Sequence, residues 1–289
     1  MNQTTQRKLA ERYGPWAVVT GASDGIGRDF ARRLAEVGVH LVLVARRPEV
    51  LDALATELAK MHGVSTRVLP LDLARPESAQ ALASATADLD VGLLVAAAGF
   101  GTSGPFLDSD LAHELEMLQV NCASVTALCH HFGRRFAQRR RGGIVLMSSL
   151  LAFQGVPGSA DYAATKAYVQ TLAEALHVEL APLGVDVVAC APGPVKSGFE
   201  ARSGMRYTTG AIPASAVGGA TLAALGRRTT VRPGFLSKAL ELALAALLTR
   251  WARVRMMGRV MRGMAPQKHP CGVRNEVSGT SKRPVLPVG

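Results

Sequence analysis

The chain has 289 residues, 48% of them apolar, which suits one large α/β domain, or two small ones, with a substantial core. Its net charge of +11 is lopsided, because residues 1–226 are balanced while residues 227–289 hold 13 Lys and Arg against Glu241 and Glu276 alone. An anionic partner would therefore meet the C-terminal region, while the scarcity of aromatics and the lack of a base-reading motif exclude nucleic acid as the expected partner.

Apolar runs and helical stretches alternate along the chain. Residues 1–16 are polar and charged, without the apolar run of a secretory signal, which points to the cytoplasm. Residues 16–20 read as a buried strand, ending at the turn Thr20-Gly21-Ala22-Ser23-Asp24-Gly25-Ile26-Gly27. A helix over 24–37, a strand over 39–45 and a helix over 48–61 with proline in its first turn follow. Then come a strand at 65–71, a helix at 76–87 and a strand at 91–98. Ser109 can cap a long helix reaching about Gln138, whose final arginines (Arg134, Arg135, Arg139, Arg140 and Arg141) read as a solvated face suited to the helix dipole. A strand at 143–148, a helix at 160–180 and a strand at 185–190 complete the pattern. Apolar strands separated by helices indicate a doubly wound parallel sheet covered on both faces. Cys122, Cys129, Cys190 and Cys271 show no metal or redox spacing and read as reduced thiols.

Beyond Cys190 the alternation breaks down. Pro192-Gly193-Pro194 is a stiff turn, and 197–209 a candidate mobile loop. A helix at 213–225, a short strand at 229–232 and helices at 235–248 and 249–264 follow. Residues 265–289 have a disordered composition. The expected organisation is a catalytic domain over 14–232, an amphipathic helical extension over 233–264 and a basic tail. The 14 residues of 235–248 would span about 21 Å, short of the ~30 Å core of a bilayer. Wound as a helix, 249–264 gathers Val254, Met256, Met257, Val260, Met261 and Met264 on one side, and Arg255, Arg259 and Arg262 opposite. Arg250 and Arg253 break that pattern. Such a helix can cap a pocket, pack on a partner subunit, or lie on an anionic inner membrane surface.

The glycine turn marks a nucleotide site. Gly21, Gly25 and Gly27 sit where a strand becomes a helix, whose N-terminal amides and partial positive charge suit a pyrophosphate. Ser23, Asp24 and Ile26 belong to the same turn. At the end of the second strand, an NAD site usually carries an acidic residue for the ribose. Val44 and Ala45 stand there instead, followed by Arg46 and Arg47, with Arg46 the better placed. Cations without a carboxylate favour a 2′-phosphate, hence NADP(H). Asp72 and Leu73 would flank the adenine.

Tyr162 and Lys166 lie four apart on a helix, so their side chains are neighbours about 6 Å apart along the axis. A free phenol titrates near 10. Acid/base work near neutrality needs that lowered by roughly three pH units, about 4 kcal/mol, and a nearby ammonium favours the phenolate. Ser149 ends the preceding strand and can donate to a substrate carbonyl. Asn121 sits mid-helix, where asparagine is a poor former, and can bend the helix and hold a water.

This ordered set resembles the short-chain dehydrogenase/reductase family over residues 14–200. The match rests on Thr20-Gly21-x-x-x-Gly25-x-Gly27, Asp72, Asn121, Ser149, Tyr162-x-x-x-Lys166, and Pro192-Gly193 with Val195 and Ser197. The resemblance implies that Tyr162 is the general acid/base, that Ser149 orients the substrate and that Lys166 binds the nicotinamide ribose. It implies an Asn121-bound water continuing a proton relay, with Val195 and Ser197 at the carboxamide and phosphate region, and a homodimer or homotetramer. It departs in Ala96-Ala97-Ala98-Gly99, where the family carries Asn-Asn-Ala-Gly, and in Ser197, where threonine is usual. The expected activity is hydride transfer between NADP(H) and a carbonyl or secondary alcohol. Phe100, Phe106, Leu150, Phe153 and Phe199 suggest an apolar ketone, acyl or steroid-like substrate. The competing readings are a nucleotide sensor without turnover and a membrane-surface lipid reductase.

Overall fold

The computed structural model describes residues 9–205, 211–234 and 248–264. Six strands follow one another in the chain: β1 (Trp16–Thr20), β2 (His40–Ala45), β3 (Thr66–Pro70), β4 (Val91–Ala96), β5 (Gly142–Met147) and β6 (Val185–Cys190). After them β7 (Val195–Lys196) pairs with β8 (Ile212–Pro213) in a separate small ladder, and β9 (Thr230–Val231) returns to the main sheet. The main sheet is wholly parallel in the order β3-β2-β1-β4-β5-β6-β9. The order reverses direction beside β1, which places a crevice at the carboxyl ends of β1 and β4.

Every residue of β4 and β5 is buried, as a strand covered on both faces requires. Successive side chains feed two cores. Val19, Leu41, Leu43, Leu93 and Val95 join Phe30 and Leu34 of α1 (Gly25–Ala35), and Leu51, Leu54 and Leu58 of α2 (Pro48–His62). Val18, Val42, Leu94, Ile144 and Leu146 join Leu82 of α3 (Ser78–Ala85) on the other side, together with residues of the helices next described. A buried Phe or Leu contributes about 1.5–3 kcal/mol by leaving water, so each such stripe outweighs the modest propensity of the strands.

The single helix expected from Ser109 to Gln138 is three pieces. Asp110, not Ser109, is the N-cap, its carboxylate accepting from the Ala112 amide at 3.0 Å. Ser109 instead bonds back to Phe106 O at the end of a 3-10 turn, Phe106–Asp108. Next, α4 (Leu111–Leu118) runs into a π turn, Gln119–Ala123, and α5 (Ser124–Gln138) continues from it, burying Phe132 and Phe136. The π turn contains Asn121, whose side chain bonds away from its own helix. π turns recur at functional sites.

Of the arginine run expected as a solvated face, Arg134, Arg139 and Arg140 are exposed and Arg135 and Arg141 half-buried, and four of the five also have partners. Arg135 donates to Thr86 O and Leu89 O at 2.9 Å, Arg139 and Arg141 both pair with Asp90, and Arg140 reaches Pro182 O. These side chains tie the loops at the lower end of the sheet together.

Other elements stand close to expectation. The strand expected over 91–98 stops at Ala96, because the Ala98 amide turns to Thr20 Oγ1 at 3.0 Å. That bond ties β1 to β4 where the Ala96-Ala97 pair cannot. α6 (Ala160–Leu180) matches the expected helix. The supposed loop over 197–209 contains a short helix, α7 (Phe199–Ser203), while its residues 206–209 lie outside the described residues. α8 (Ser215–Ala224) packs on α1, and α9 (Arg250–Met264) ends the described chain. The helix expected over 235–248 lies outside the described residues apart from Leu248, and the tail 265–289 lies wholly outside them.

Candidate active site

The strand-to-helix turn after β1 approaches its neighbours too closely for a side chain at Gly21 and Gly27. Gly21 has φ +67°, and a Cβ there would lie 2.9 Å from Ala97 O; at Gly27 it would lie 2.3 Å from Gly21 O, a backbone atom with nowhere to go. Asp24 caps α1, its carboxylate accepting from the Gly25 amide at 2.7 Å. Its other oxygen accepts from Gly198 N at 3.1 Å and Arg202 Nη1 at 3.0 Å. Burial pushes the Asp24 carboxyl up, but Arg202 and the two amides outweigh it and hold it below its usual value.

A cavity of about 460 Å³ opens over this turn. It brings together Gly21, Ser23, Asp24, Gly25, Ile26, Gly27, Arg46, Arg47, Asp72, Leu73, Ala98, Gly99 and Ser197, all expected from sequence. Arg47 reaches Ser23 Oγ at 3.4 Å, and Arg46, still 62% exposed, lies 3.8 Å from Glu116. Asp72 Oδ1 accepts from the Ala74 amide, which shapes the turn after β3. A glycine floor and helix-end amides fit a dinucleotide, and two arginines stand in the same wall.

A second cavity, about 420 Å³, adjoins the first and is lined by Ser149, Tyr162, Lys166, Pro192, Gly193 and Val195. Ser149 follows β5, and its Oγ accepts from the Leu151 amide at 3.2 Å, which leaves the hydroxyl proton available. Tyr162 and Lys166 lie in the first turns of α6, with Lys166 Nζ 5.6 Å from the Tyr162 ring centroid and the Phe199 ring 5.4 Å from it on another side. Lys166 Nζ donates to Met147 O at 2.9 Å. Burial pushes its ammonium down to about 8, partly countered by the neighbouring Cys122. Burial raises the thiols of Cys129 and Cys190 to about 12, consistent with inert core groups.

Asn121 Nδ2 donates to Phe100 O at 2.9 Å and to Thr165 Oγ1 at 3.0 Å, while Phe100 N donates to its Oδ1 at 3.2 Å. The side-chain amide thus pins the turn after β4 against α6. Ser197 Oγ accepts from the Phe199 amide at 3.3 Å and starts α7.

Of the five apolar residues expected around the substrate, Leu150 and Phe199 line the second cavity. Phe100 lines the nucleotide cavity and packs on His113, Phe106 is exposed, and Phe153 lies under Arg232. Leu151, Gln154 and Met205 line the second cavity without having been singled out in the sequence, and Arg253, Met256, Met257, Val260 and Met261 reach it from α9. The methionine stripe was legible in the sequence. Of the three roles open to it, the structure places it over the pocket.

Residues 15–207 match the family described as short chain dehydrogenase. The chain belongs to that family, and with it to the oxidoreductases that interconvert alcohols and carbonyl compounds. Among its relatives, a 7beta-hydroxysteroid dehydrogenase of Clostridium sardiniense is 38% identical over 183 residues, covering 63% of this chain and 70% of the relative. A structure solved for 7beta-hydroxysteroid dehydrogenase stereoselectivity superposes with a TM-score of 0.80 at 28% identity, covering 86% of this chain and 98% of its own. A short-chain dehydrogenase from Sphingobium yanoikuyae in complex with NADPH superposes at 0.73 with 32% identity, covering 81% of this chain and 95% of its own.

Proposed function

We propose that the protein is an NADP(H)-dependent oxidoreductase of bulky apolar ketones, steroid-like or acyl, and of their secondary alcohols. The observation that carries this reading is the junction of the two cavities, which share Ile26, Ala97, Gly99, Ser197 and Phe199 in their walls. A bound nicotinamide dinucleotide would supply or accept the hydride. Tyr162 gives its phenolic proton to the carbonyl oxygen, or removes it in the reverse direction. Ser149 donates its free hydroxyl proton to the same oxygen. Lys166 favours the phenolate through its charge and holds the ribose, and Asn121 keeps the π turn and the turn after β4 in place beside it.

Arg46 and Arg47 would pair with the 2′-phosphate, and Asp72 with Leu73 would flank the adenine. Val195 would meet the carboxamide and Ser197 the phosphate or amide region. The two arginines, the absence of a carboxylate at the end of β2 and the NADPH complex of a similar protein support this preference. Beyond the catalytic domain 14–232, the expected extension over 233–264 contributes α9, whose residues line the substrate pocket. The apolar side of α9 faces that pocket, which favours packing within the protein over membrane contact. Among the described residues no helix is long and apolar enough to cross a membrane. Exposed Leu111, Leu115 and Leu118 on α4, with Tyr168 on α6, support assembly into a homodimer or homotetramer.

The test is NADPH oxidation at neutral pH against apolar ketones, oxo-steroids and 3-oxoacyl thioesters, with NADH in parallel and Tyr162→Phe as control. Turnover that prefers NADPH and falls about 10²–10⁴-fold in the variant is expected. Tight NADPH binding with no turnover across the panel would sink the reductase reading in favour of a nucleotide sensor.

A further inference from the structure

Five arginines lie on α9, and four of them (Arg250, Arg255, Arg259 and Arg262) are exposed. Arg253 is not, and it alone of the five lines the substrate cavity. Its Nε is buried with no hydrogen-bond partner, and among the described residues the guanidinium has no ion pair. The rest of the wall offers it no anion. Most of the lining is apolar, from Leu150 and Leu151 to Met205, Met257 and Met261, and it contains no Asp or Glu. Lys166, the other cation there, is already engaged with Met147 O.

A guanidinium cannot escape this cost by losing its proton, because it stays charged at any ordinary pH. A charge facing an apolar cavity, with a buried donor unmatched, is an unfavourable arrangement in the empty protein. It becomes favourable when a ligand brings an anion, since guanidinium–carboxylate pairs are strong and can be bidentate. Arg253 also departs from the polar side on which Arg255, Arg259 and Arg262 gather, and it is turned to the cavity instead.

Resting on the reductase reading above, we propose that Arg253 is a specificity-determining residue that recognises a carboxylate on the substrate. The pocket then takes an amphipathic keto-acid: an apolar body against the methionines of α9, a carbonyl at Ser149 and Tyr162, and a carboxylate on Arg253.

The experiment compares an oxo-steroid bearing a side-chain carboxylic acid with its methyl ester, in wild type, Arg253→Met and Arg253→Lys. Both kcat/KM with NADPH and equilibrium binding by calorimetry are measured. The wild type should favour the acid by about ten-fold or more, mostly in KM. The preference should shrink as salt is added. In Arg253→Met the acid-to-ester ratio should collapse towards one, and Arg253→Lys should restore part of it. A merely structural arginine would lower both rates together and leave the ratio alone, which would overturn the proposal. Equal use of acid and ester by the wild type would overturn it while leaving the reductase reading intact. Acid bound more tightly than ester, with no turnover of either, would keep the anion site and sink the reductase reading. Binding of neither would overturn both.

Discussion

Lys166 is driven by burial from an ordinary 10.5 to about 8, and this makes the stability of the ligand-free protein depend on pH in a calculable way. Between those values the unfolded chain holds the lysine proton and the folded chain does not. Stability contributed by this group therefore rises with pH across pH 8 to 10.5 and is flat outside that window. At about 1.4 kcal/mol per pH unit, the difference is about 3 kcal/mol. Below pH 8 the ammonium is a standing cost of that size, offset in part by its bond to Met147 O. A methionine at this position carries no such cost. The Lys166→Met variant should be the more stable form at pH 7, and its advantage should shrink by about 3 kcal/mol by pH 10.5. Urea midpoints would be compared in a Tyr162→Phe background, so that the adjacent phenol does not titrate. Cys122, the nearby thiol, is raised by burial from 9.0 to about 11 and would titrate inside the same window, so it is replaced by alanine in both proteins. A gap between the two proteins that does not change with pH would refute the claim that Lys166 is buried as a charge.

Replacing Arg46 by Ala should raise KM for NADPH about ten-fold or more while changing that for NADH little, as steady-state kinetics with both cofactors would show; equal effects on the two would remove the 2′-phosphate from the argument. Gly27→Ala forces a Cβ to 2.3 Å from Gly21 O, so it should cost about 1–3 kcal/mol in thermal or urea unfolding and weaken NADPH binding in a titration. Gly133→Ala is its control: the new Cβ meets nothing nearer than Leu180 at 3.8 Å, in mid-helix, and should be neutral or slightly stabilising.

Much of the fold was legible because its signals are short-range. Strands buried on both faces must be apolar throughout, as β4 and β5 are, and helix α6 announces itself by 21 residues without Gly or Pro. The glycine turn was legible because backbone contact leaves no room for a side chain at Gly21 or Gly27. The break at Asn121 was visible only as a cost. Its form, a π turn, depends on Phe100 and Thr165, which lie 21 and 44 residues away. The same holds for the partners of the arginine run, since Asp90, Thr86 and Leu89 lie far from it in the chain.

By itself the sequence determined the class of fold and the order of its strands and helices along the chain, and it singled out the Ser149, Tyr162 and Lys166 group that one cavity brings together, since hydrophobic periodicity, turn sterics and helical spacing act over a few residues. Only the tertiary structure decided what closes the substrate pocket, where Arg253 points, and that Asp24 joins Arg202 across 178 residues. An amphipathic helix such as α9 carries the same pattern whether it meets a membrane, a partner or its own domain, and the choice among them is made by surfaces that are distant in the chain.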